Sequence, residues 1–504
     1  MTTSKSQPAL LGKHYAAAPA AAGVGIQGER ISTARVIVDS GFRPEKDGFG
    51  FENYGPAPNG NDLGPTEVEQ LFGDGPAVCS AHQAGKCKLT PGAEWWMEEE
   101  NRAMAGGHCF GFSVTSLMFF QGLLNQHDFA GTAGAERLTT PLLRINDVLE
   151  HRIAEEWALQ NSARVIDAEI RTTPNQILDK LIAALGSPKL ETYTLVMFSR
   201  AGAGHAVTPF AVEDRGAGQT AVLIYDNNFP NKIRSVTFDR KADGWRYEGG
   251  VDPKDKSDLY DGDAKTRSAY LVPTSVAVGP QPWPPTGIFY EISLAGDSLN
   301  HGHVLLTDST GRRTGYVGRQ LVNEIPGARV IQRVLSQNWA EASEPRYLLP
   351  PDAHVSISLD GTALRQPDTE SVTVFGSGYN AVASSIVLRP GEQDEINVKG
   401  RGTALSYRPE RGFTQAPHIE VGLDRPARDY RFSVDAPSIP GGSELSVVAQ
   451  PTLGRLKVDA GAVASAGAYA LAVTQVPRSG HEVVSNRSVR VPAGGSAQLR
   501  FGKK

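Results

Sequence analysis

The stretch GGHCFGFSVTSLMFF, residues 106–120, contains a cysteine, Cys109, at the point where a glycine-rich loop becomes an apolar segment. Consecutive glycines are unfavourable inside a helix, so the sequence predicts a helix that begins near Cys109. Because the first N–H groups of a helix have no intrahelical acceptor and carry the positive end of its dipole, this position favours a thiolate. Nearly every face from Phe110 to Leu124 is apolar, which predicts a helix buried inside a domain.

A base and an orienting group for this thiol occur together in GHAVTPFAVEDRGAGQTAVLIYDNNFP, residues 204–230. Two runs rich in valine, alanine and aromatic residues flank the turn-forming sequence DRGAG, which predicts a β-hairpin. His205 opens the first strand and Asp226 closes the second, and the midpoint between them falls inside the turn, so we expect the two side chains to face each other. Cross-strand neighbours have Cβ atoms about 5 Å apart, close enough for a carboxylate to orient an imidazole. The three residues are a candidate nucleophile, base and orienting group.

This order of Cys, His and Asp, with the cysteine at the head of a buried helix and the other two on adjacent strands, resembles the papain-like cysteine peptidases. The segments GGHCFGF, GHAVTPF and IYDNNFP are most similar to bacterial peptidases of the bacteriocin-processing type, and the resemblance covers roughly residues 70–275. It implies an α+β domain that acts on a protein or peptide substrate.

One position departs from the family pattern. Papain-like enzymes usually carry a glutamine about six residues before the cysteine, where it helps to form the oxyanion hole, and this chain has Ala103 there. The nearest amide is Asn101, so we expect Asn101 to reach the site and the Cys109 N–H to be the second donor.

Each of these residues also has a purely structural interpretation. A cysteine before an apolar helix is often packing, His205 could be a core histidine, and Asp226 could belong to a turn. The joint arrangement favours a site. His108 precedes the cysteine directly, but consecutive helical residues point about 100° apart, so we expect His108 in the loop or at the rim rather than as the base.

The other two of the three cysteines, Cys79 and Cys87, lie in CSAHQAGKC. Three alternatives are open: a small disulfide loop, a zinc site with His82 and a distant His108, or two separate thiols. If the pair is a disulfide, Cys109 is the remaining free thiol.

Two further segments invite a metal interpretation. The acidic stretch DPKDKSDLYDGDAK, residues 252–265, departs from the EF-hand spacing and is expected to be a solvated loop. His301 and His303 form an H-x-H pair, but no third ligand is near them in the sequence, so we interpret them as sheet residues. We therefore expect neither a metal nor a cofactor.

Length and composition limit the function classes. A chain of 504 residues is too long for one ordinary core, and its net charge of −5 without a dense basic cluster gives no basis for binding nucleic acid or an anionic membrane. No apolar run approaches the roughly 18 residues of a membrane span. The N-terminus is not a convincing signal peptide, which predicts a cytoplasmic protein or one exported without a cleavable leader.

The predicted organisation is multidomain. Residues 1–30 are expected to be a flexible tail, residues 31–277 a papain-like α+β domain with helices at 141–162 and 174–185, and residues 278–287, VGPQPWPPTG, a stiff proline-rich linker. Short alternating strands then predict two all-β sandwich domains, 288–412 and 413–504, which would position the enzyme against its substrate or a protein partner.

The predicted activity is that of a cysteine hydrolase, foremost a peptidase. Two alternatives remain open at this point. The same residue types in the same order serve transglutaminase-like acyltransferases, and the missing glutamine is compatible with an inactive domain in a binding or structural component of an exported or injected assembly.

Overall fold

The computed structural model describes residues 34–55, 57, 62–130, 138–189, 191–200, 202–249, 259–297, 300–332, 344–461 and 467–502. The protein is multidomain and mostly β, with 43% of residues in strands and 20% in helices, arranged in several sheets. The tail predicted for residues 1–30 lies outside the described residues. No single described helix is long and apolar enough to cross a membrane; one pair of consecutive helices, Pro91–Met104 and Cys109–Phe120, passes that test together but is bent by 97°.

The α-helices among the described residues are confined to the N-terminal part of the chain. They are α1 (Pro44–Asp47), α2 (Pro65–Phe72), α3 (Pro91–Met104), α4 (Cys109–Phe120), α5 (Asp147–Ala158), α6 (Ala163–Ala168) and α7 (Pro174–Leu185). The strands of the same part are β1 (Arg35–Asp39), β2 (Cys79–Gln83), β3 (Lys86–Leu89), β4 (Tyr193–Phe198), β5 (Gly204–Gly216), β6 (Gln219–Tyr225), β7 (Ile233–Asp239), β8 (Gly244–Glu248), β9 (Leu259–Asp263) and β10 (Ala269–Pro273).

These strands form one antiparallel sheet and one small hairpin. The sheet has the order β10-β4-β5-β6-β7-β8-β9, with β1 paired to β5, and β2 pairs with β3. The predicted β5–β6 hairpin is confirmed, and it turns within DRGAG, where Gly216, Ala217 and Gly218 have positive φ angles. Helices followed by an antiparallel sheet agree with the predicted α+β arrangement.

Helix α4 is the buried helix that the sequence predicts, and it begins at Cys109. Every residue from Cys109 to Phe119 is buried, and the helix contacts α5, β4 and β5. Gly111 allows the close approach of α5, because a Cβ at this position would lie 2.1 Å from the Ile153 carbonyl oxygen. On the sheet side the Ser113 hydroxyl lies 3.0 Å from that of Thr194 and 2.9 Å from that of Thr208. Packing on one side and hydrogen bonds on the other thus fix the helix.

The proline-rich segment 278–287 is not a free spacer. The Gln281 N–H donates to the Leu71 carbonyl at 2.7 Å, and the Ala163 N–H donates to the Pro285 carbonyl at 2.6 Å. The Trp283 ring packs 5.1 Å from that of Phe72. The predicted stiff linker therefore packs against the helices, because the Trp283 ring contacts Phe72 and backbone groups of the linker bond to helix residues.

Apart from a short 3₁₀ helix at Pro451–Leu453, the described elements of the C-terminal part are strands. They are β11 (Tyr290–Ala295), β12 (His303–Asp308), β13 (Arg313–Val317), β14 (Gln320–Asn323), β15 (Arg329–Ile331), β16 (Arg346–Leu349), β17 (Val355–Asp360), β18 (Asp368–Gly376), β19 (Tyr379–Leu388), β20 (Gln393–Lys399), β21 (Ala404–Arg408), β22 (Thr414–Gln415), β23 (His418–Leu423), β24 (Arg428–Asp435), β25 (Ile439–Pro440), β26 (Leu445–Gln450), β27 (Arg455–Asp459), β28 (Gly467–Pro477), β29 (Val483–Val491) and β30 (Ser496–Arg500).

Two nine-stranded sheets face each other in this part. Their orders are β15-β16-β11-β18-β19-β23-β24-β28-β29 and β14-β13-β12-β17-β20-β21-β26-β27-β30. A single hydrophobic cluster between them runs from Ile292 to Phe501. The prediction of two separate sandwiches, 288–412 and 413–504, is wrong in this respect: β19 pairs with β23 and β21 pairs with β26, so both sheets continue across residue 412.

The helical part and the sandwich meet in a buried contact around Arg346. Its guanidinium lies 2.6 Å from a Glu100 oxygen, 3.3 Å from a Glu291 oxygen and 3.9 Å from a Glu99 oxygen. The Trp95 ring stacks on the Phe375 ring with centroids 4.9 Å apart. Because Glu99, Glu100 and Trp95 belong to α3, the sandwich packs mainly against this helix.

We expect Gly111→Ala to destabilise the protein by about 1–3 kcal/mol, although alanine favours helices, because the new methyl group forces α4 and α5 apart. The measurement is urea unfolding followed by circular dichroism. Gly75→Ala is the matched control, since a Cβ at Gly75 meets no atom within 4 Å. Equal stability of the two variants would contradict the tight crossing.

We expect Arg346→Gln to cost about 3–5 kcal/mol, because it leaves buried carboxylates without their cation. The control is Arg240→Gln, which breaks a surface pair with Asp179 and should change stability by less than about 1 kcal/mol. Unfolding curves of both variants test this, and a loss no larger than the control's would show that the cluster contributes little.

Candidate active site

Cys109 is the first residue of α4, and its side chain is fully buried. His108 is the N-cap residue, and the first intrahelical bond runs from the Phe112 N–H to the His108 carbonyl at 3.0 Å. The Cys109 N–H therefore belongs to the helix end, where no intrahelical carbonyl accepts it. All three cysteines lie in the described part of the chain, and Cys109 is the one that is not in a disulfide.

The hairpin brings His205 and Asp226 together as predicted, although they are not directly opposite. The His205 Nε2 atom lies 2.9 Å from Asp226 Oδ1, and both side chains are fully buried. Thr208 pairs with Tyr225 across the ladder, and irregularities follow Pro209 and Asp214. Continuing this register puts Asp226 opposite Val207, so His205 and Asp226 are diagonal neighbours on one face. The sequence midpoint missed the register because the turn is centred on Ala217 and Gly218, two residues later, and the two bulges of β5 offset only part of that difference.

His205 links the thiol to the carboxylate. Burial alone would lower the pKa of His205, but the charge and hydrogen bond of Asp226, with a smaller contribution from a hydrogen bond to the Cys109 side chain, raise this pKa to about 10. The Cys109 and Asp226 side chains are thus both near enough to the ring to raise its pKa. The imidazole therefore stands between a sulfur and a carboxylate.

Asp226 is held as an ionised carboxylate by several donors. Burial favours its neutral form, but the charge and hydrogen bond of His205, the Tyr247 hydroxyl and the Asn228 N–H together lower the pKa of Asp226. The Asn228 N–H donates to Oδ1 at 2.9 Å, and the Tyr247 hydroxyl donates to Oδ2. A carboxylate fixed on both oxygens cannot rotate away from the imidazole.

Two asparagines that the sequence analysis did not single out as site residues tie the site together. Asn227 Nδ2 donates to the Cys109 carbonyl at 3.1 Å and to the Ala206 carbonyl at 2.9 Å, so it joins the end of β6 to the start of α4. The Asn53 N–H donates to the Asn227 carbonyl at 2.9 Å, and Asn53 Oδ1 accepts the His108 N–H at 2.8 Å. The run YDNN was a visible signal for Asn227, whereas nothing local points to Asn53.

The side-chain amide of Asn101 bonds to the backbone of Leu63 and is not the oxyanion donor that we expected. Asn101 Oδ1 accepts the Leu63 N–H at 2.8 Å, and Asn101 Nδ2 donates to the Leu63 carbonyl at 2.9 Å. Its amide therefore holds the chain before α2 rather than serving as an oxyanion donor. The amide group that the family resemblance implies has no counterpart at Ala103, and the Cys109 N–H is the donor that remains from the prediction.

His108 is buried in the core and not at the rim. Its Nδ1 lies 2.9 Å from the Tyr54 carbonyl oxygen, and its Nε2 lies 2.9 Å from Asp62 Oδ1. The prediction that it is not the base agrees with this geometry, because both ring nitrogens are engaged away from the thiol. The expected rim position was wrong because Asp62, which is far away in the sequence, provides a buried partner.

The disulfide alternative holds for Cys79 and Cys87, whose sulfurs are bonded at 2.01 Å across the β2–β3 hairpin. The zinc alternative with His82 and His108 fails, because both thiols are used and His108 pairs with Asp62. Of the acidic stretch, residues 252–258 lie outside the described residues. Asp261 pairs with Arg200 at 2.7 Å. The H-x-H pair does have a third residue, since Glu344 lies beside His301 and His303.

We expect His205 to remain protonated well above neutral pH, because its pKa is raised to about 10. Nitrogen NMR of histidine-labelled protein, recorded as a function of pH, measures this. Asp226→Asn should lower the His205 pKa more than Cys109→Ala, since the carboxylate contributes most of the increase. A wild-type His205 midpoint near the value of about 6.5 for a histidine in a free peptide would contradict the ion pair.

The raised pKa of His205 also makes the stability of the fold depend on pH. Since the folded-state pKa of His205 is above its unfolded value, its contribution to the free energy of unfolding is complete below about pH 6.5 and is lost as pH rises toward 10. Asp226 acts in the opposite direction: its pKa is lowered, so its contribution is lost in acid.

Comparisons of the chain with protein families, with curated proteins and with solved structures gave no match. The geometry of Cys109, His205 and Asp226 is therefore the basis on which its chemistry is interpreted.

Proposed function

We propose that the helical and sheet part of the chain, residues 31–277, is a papain-like cysteine hydrolase that cleaves amide bonds in a protein or peptide. The observation that supports this most directly is the 2.9 Å contact of His205 with Asp226, together with the Cys109 side chain, which is near enough to help raise the pKa of His205. Core histidines need one partner for each nitrogen, but they rarely combine a thiol at a helix N-terminus with an ionised buried carboxylate.

The proposed reaction has two halves. The Cys109 sulfur attacks the substrate carbonyl carbon, and its proton is held by His205, which then gives this proton to the leaving amine as the C–N bond breaks. Water attacks the resulting thioester, His205 takes one of its protons, and the C–S bond breaks to release a carboxylic acid and the thiol. Asp226 keeps the imidazole oriented and stabilises its charged form throughout. The Cys109 N–H would stabilise the oxyanion.

Substrate access requires a rearrangement, because Cys109, His205 and Asp226 are each fully buried. A closed site would protect the thiol and would expel water around the reacting groups when a substrate is bound. Burial therefore predicts that a substrate reaches Cys109 slowly, not that the thiol is unreactive.

Two observations favour the alternative of an inactive domain in a binding or structural component. Ala103 replaces the expected glutamine, and Asn101 is engaged by Leu63. A transglutaminase-like acyltransferase would use the same thioester but pass the acyl group to an amine.

The Cys79–Cys87 disulfide favours an exported protein over a cytoplasmic one, because reducing compartments seldom maintain such bonds. The sandwich would then position the enzyme against a substrate or partner.

We expect iodoacetamide to label Cys109 at a rate that changes little between about pH 6 and 9, because the ion pair with His205 keeps the sulfur reactive. The alkylation rate of an ordinary thiol, whose pKa is about 8.5, falls about tenfold for each pH unit below that pKa. Intact-mass measurement suffices, since the other two cysteines are in the disulfide. Any slow opening of the site scales the rates at all pH values alike when opening itself does not depend on pH.

The His205→Ala variant supplies the matched comparison, and Cys109→Ala supplies the blank. A pH profile that becomes steep in His205→Ala supports the proposal, as does cleavage of an unfolded protein substrate that Cys109→Ala abolishes. A steep profile in wild type would favour the inactive domain. Incorporation of a fluorescent amine into product, instead of water, would identify the acyltransferase.

A further inference from the structure

A cluster of two histidines and a glutamate lies at one end of the sandwich, far along the chain from Cys109. His301 precedes β12, His303 is the first residue of β12, and Glu344 comes just before β16. One ligand atom from each of the three residues lies within 4.8 Å of the others. Because β12 and β16 belong to different sheets, the cluster joins the two layers.

Glu344 is held rigidly toward the histidines. Its Oε1 atom accepts the Val304 N–H at 2.9 Å and the Tyr347 hydroxyl at 2.6 Å, and the residue is buried. Its Oε2 atom lies 2.9 Å from His303 Nδ1. A carboxylate whose one oxygen is fixed by two donors presents the other in a defined direction, as the outer hydrogen bonds of metal ligands do.

The histidines are also ordered. The His303 ring stacks on the Tyr316 ring with centroids 4.0 Å apart, and the two histidine rings lie 5.5 Å apart. His301 Nδ1 lies 2.7 Å from the Gly302 carbonyl oxygen, the kind of backbone contact that fixes a ring and directs its other nitrogen. His301 is partly exposed and the His303 side chain is 18% exposed, so small solutes reach the cluster from one side.

A further buried carboxyl group, that of Glu370, holds the backbone between the two histidines. Glu370 Oε1 accepts the N–H of Gly302, the residue between them, at 2.6 Å, and Glu370 is fully buried. Burial raises the pKa of Glu370 to about 8, so at neutral pH this group orders the loop rather than adding charge to it.

We propose that His301, His303 and Glu344 form a binding site for one divalent transition-metal ion of the zinc type. Two imidazoles and one carboxylate are ligands that such ions accept, and bonds of about 2.0–2.2 Å at a tetrahedral angle separate ligand atoms by roughly 3.3–3.6 Å. The observed 2.9 Å contact and the 4.8 Å limit of the cluster bracket that separation. Small side-chain rotations would suffice. Three protein ligands leave one position for water or a small ligand.

The contrasting interpretation is a plain hydrogen bond from His303 to Glu344 that needs no ion. The two interpretations differ in what chelation and metal addition do to the untagged full-length protein. We expect the chelator-treated protein to bind one equivalent of Zn²⁺ in competition with a chromogenic chelator. Co²⁺ should bind with the visible absorption of a tetrahedral or five-coordinate site, and Zn²⁺ should raise the unfolding temperature because the ion joins the two sheets.

Three variants localise the site. His303→Gln and Glu344→Gln should each weaken Zn²⁺ binding by more than about 100-fold, beyond the 10–100-fold typical of an outer-shell change. In Glu344→Gln the amide oxygen can still accept from Val304 and Tyr347, so its fold is expected to survive. His82→Ala is the control, because His82 lies near Glu69 and Cys79 in the other candidate cluster, where the cysteine is in the disulfide.

One readout uses the wild-type protein alone and so does not depend on the variants' folding. Diethylpyrocarbonate should modify His301 and His303 more slowly when Zn²⁺ is present, while the exposed His354 should be unaffected. Absence of stoichiometric binding, binding unchanged by His303→Gln, loss of binding in His82→Ala, or equal modification of His301 and His303 with and without Zn²⁺ would each overturn the proposal.

Discussion

The fixed position of α4 is the constraint on which the candidate site depends. The helix is held by the close contact of Gly111 with the Ile153 carbonyl on one side and by the Ser113 hydroxyl on the other. Its first residue is therefore set relative to β5 and β6, the strands that carry His205 and lead into Asp226. Asn227 closes the arrangement through its bond to the Cys109 carbonyl. A shift of α4 by a fraction of a turn would move the Cys109 sulfur away from the His205 imidazole. The packing of α4 therefore determines the geometry of the site.

Local patterns were enough to predict the parts of the site that depend on short-range order. The apolar run after Cys109 predicted α4, and the turn sequence predicted the hairpin that joins His205 to Asp226. The remainder depends on contacts between residues distant in sequence. Asn53 reaches Asn227, Asp62 reaches His108, and Leu63 engages Asn101, and none of these pairs has a periodic signal. The bulges in β5 likewise moved the register by an amount that alternation does not encode.

The same limit explains the sandwich. Alternating apolar and polar residues predict that a segment is a strand with one buried face, but they do not specify its neighbour. The strands on either side of residue 412 have the same pattern whether they form two modules or two continuous sheets, and the structure has the latter. Glu344 could not be joined to His301 and His303 for a related reason: it is brought to them by β16, which lies in the opposite sheet.

Six histidine–carboxylate pairs occur among the described residues, and the surroundings of three of them, those of His108, His205 and His303, separate their roles. His108 has both ring nitrogens at hydrogen-bond distance from fixed oxygens, so it has no partner to which it could pass a proton usefully. His303 stands beside a second histidine and a carboxylate, a set suited to a cation. His205 alone joins its carboxylate to a sulfur at a helix N-terminus. Since all three pairs share the same primary contact, we propose that the third group at each determines whether the pair stabilises the fold, coordinates an ion or moves a proton.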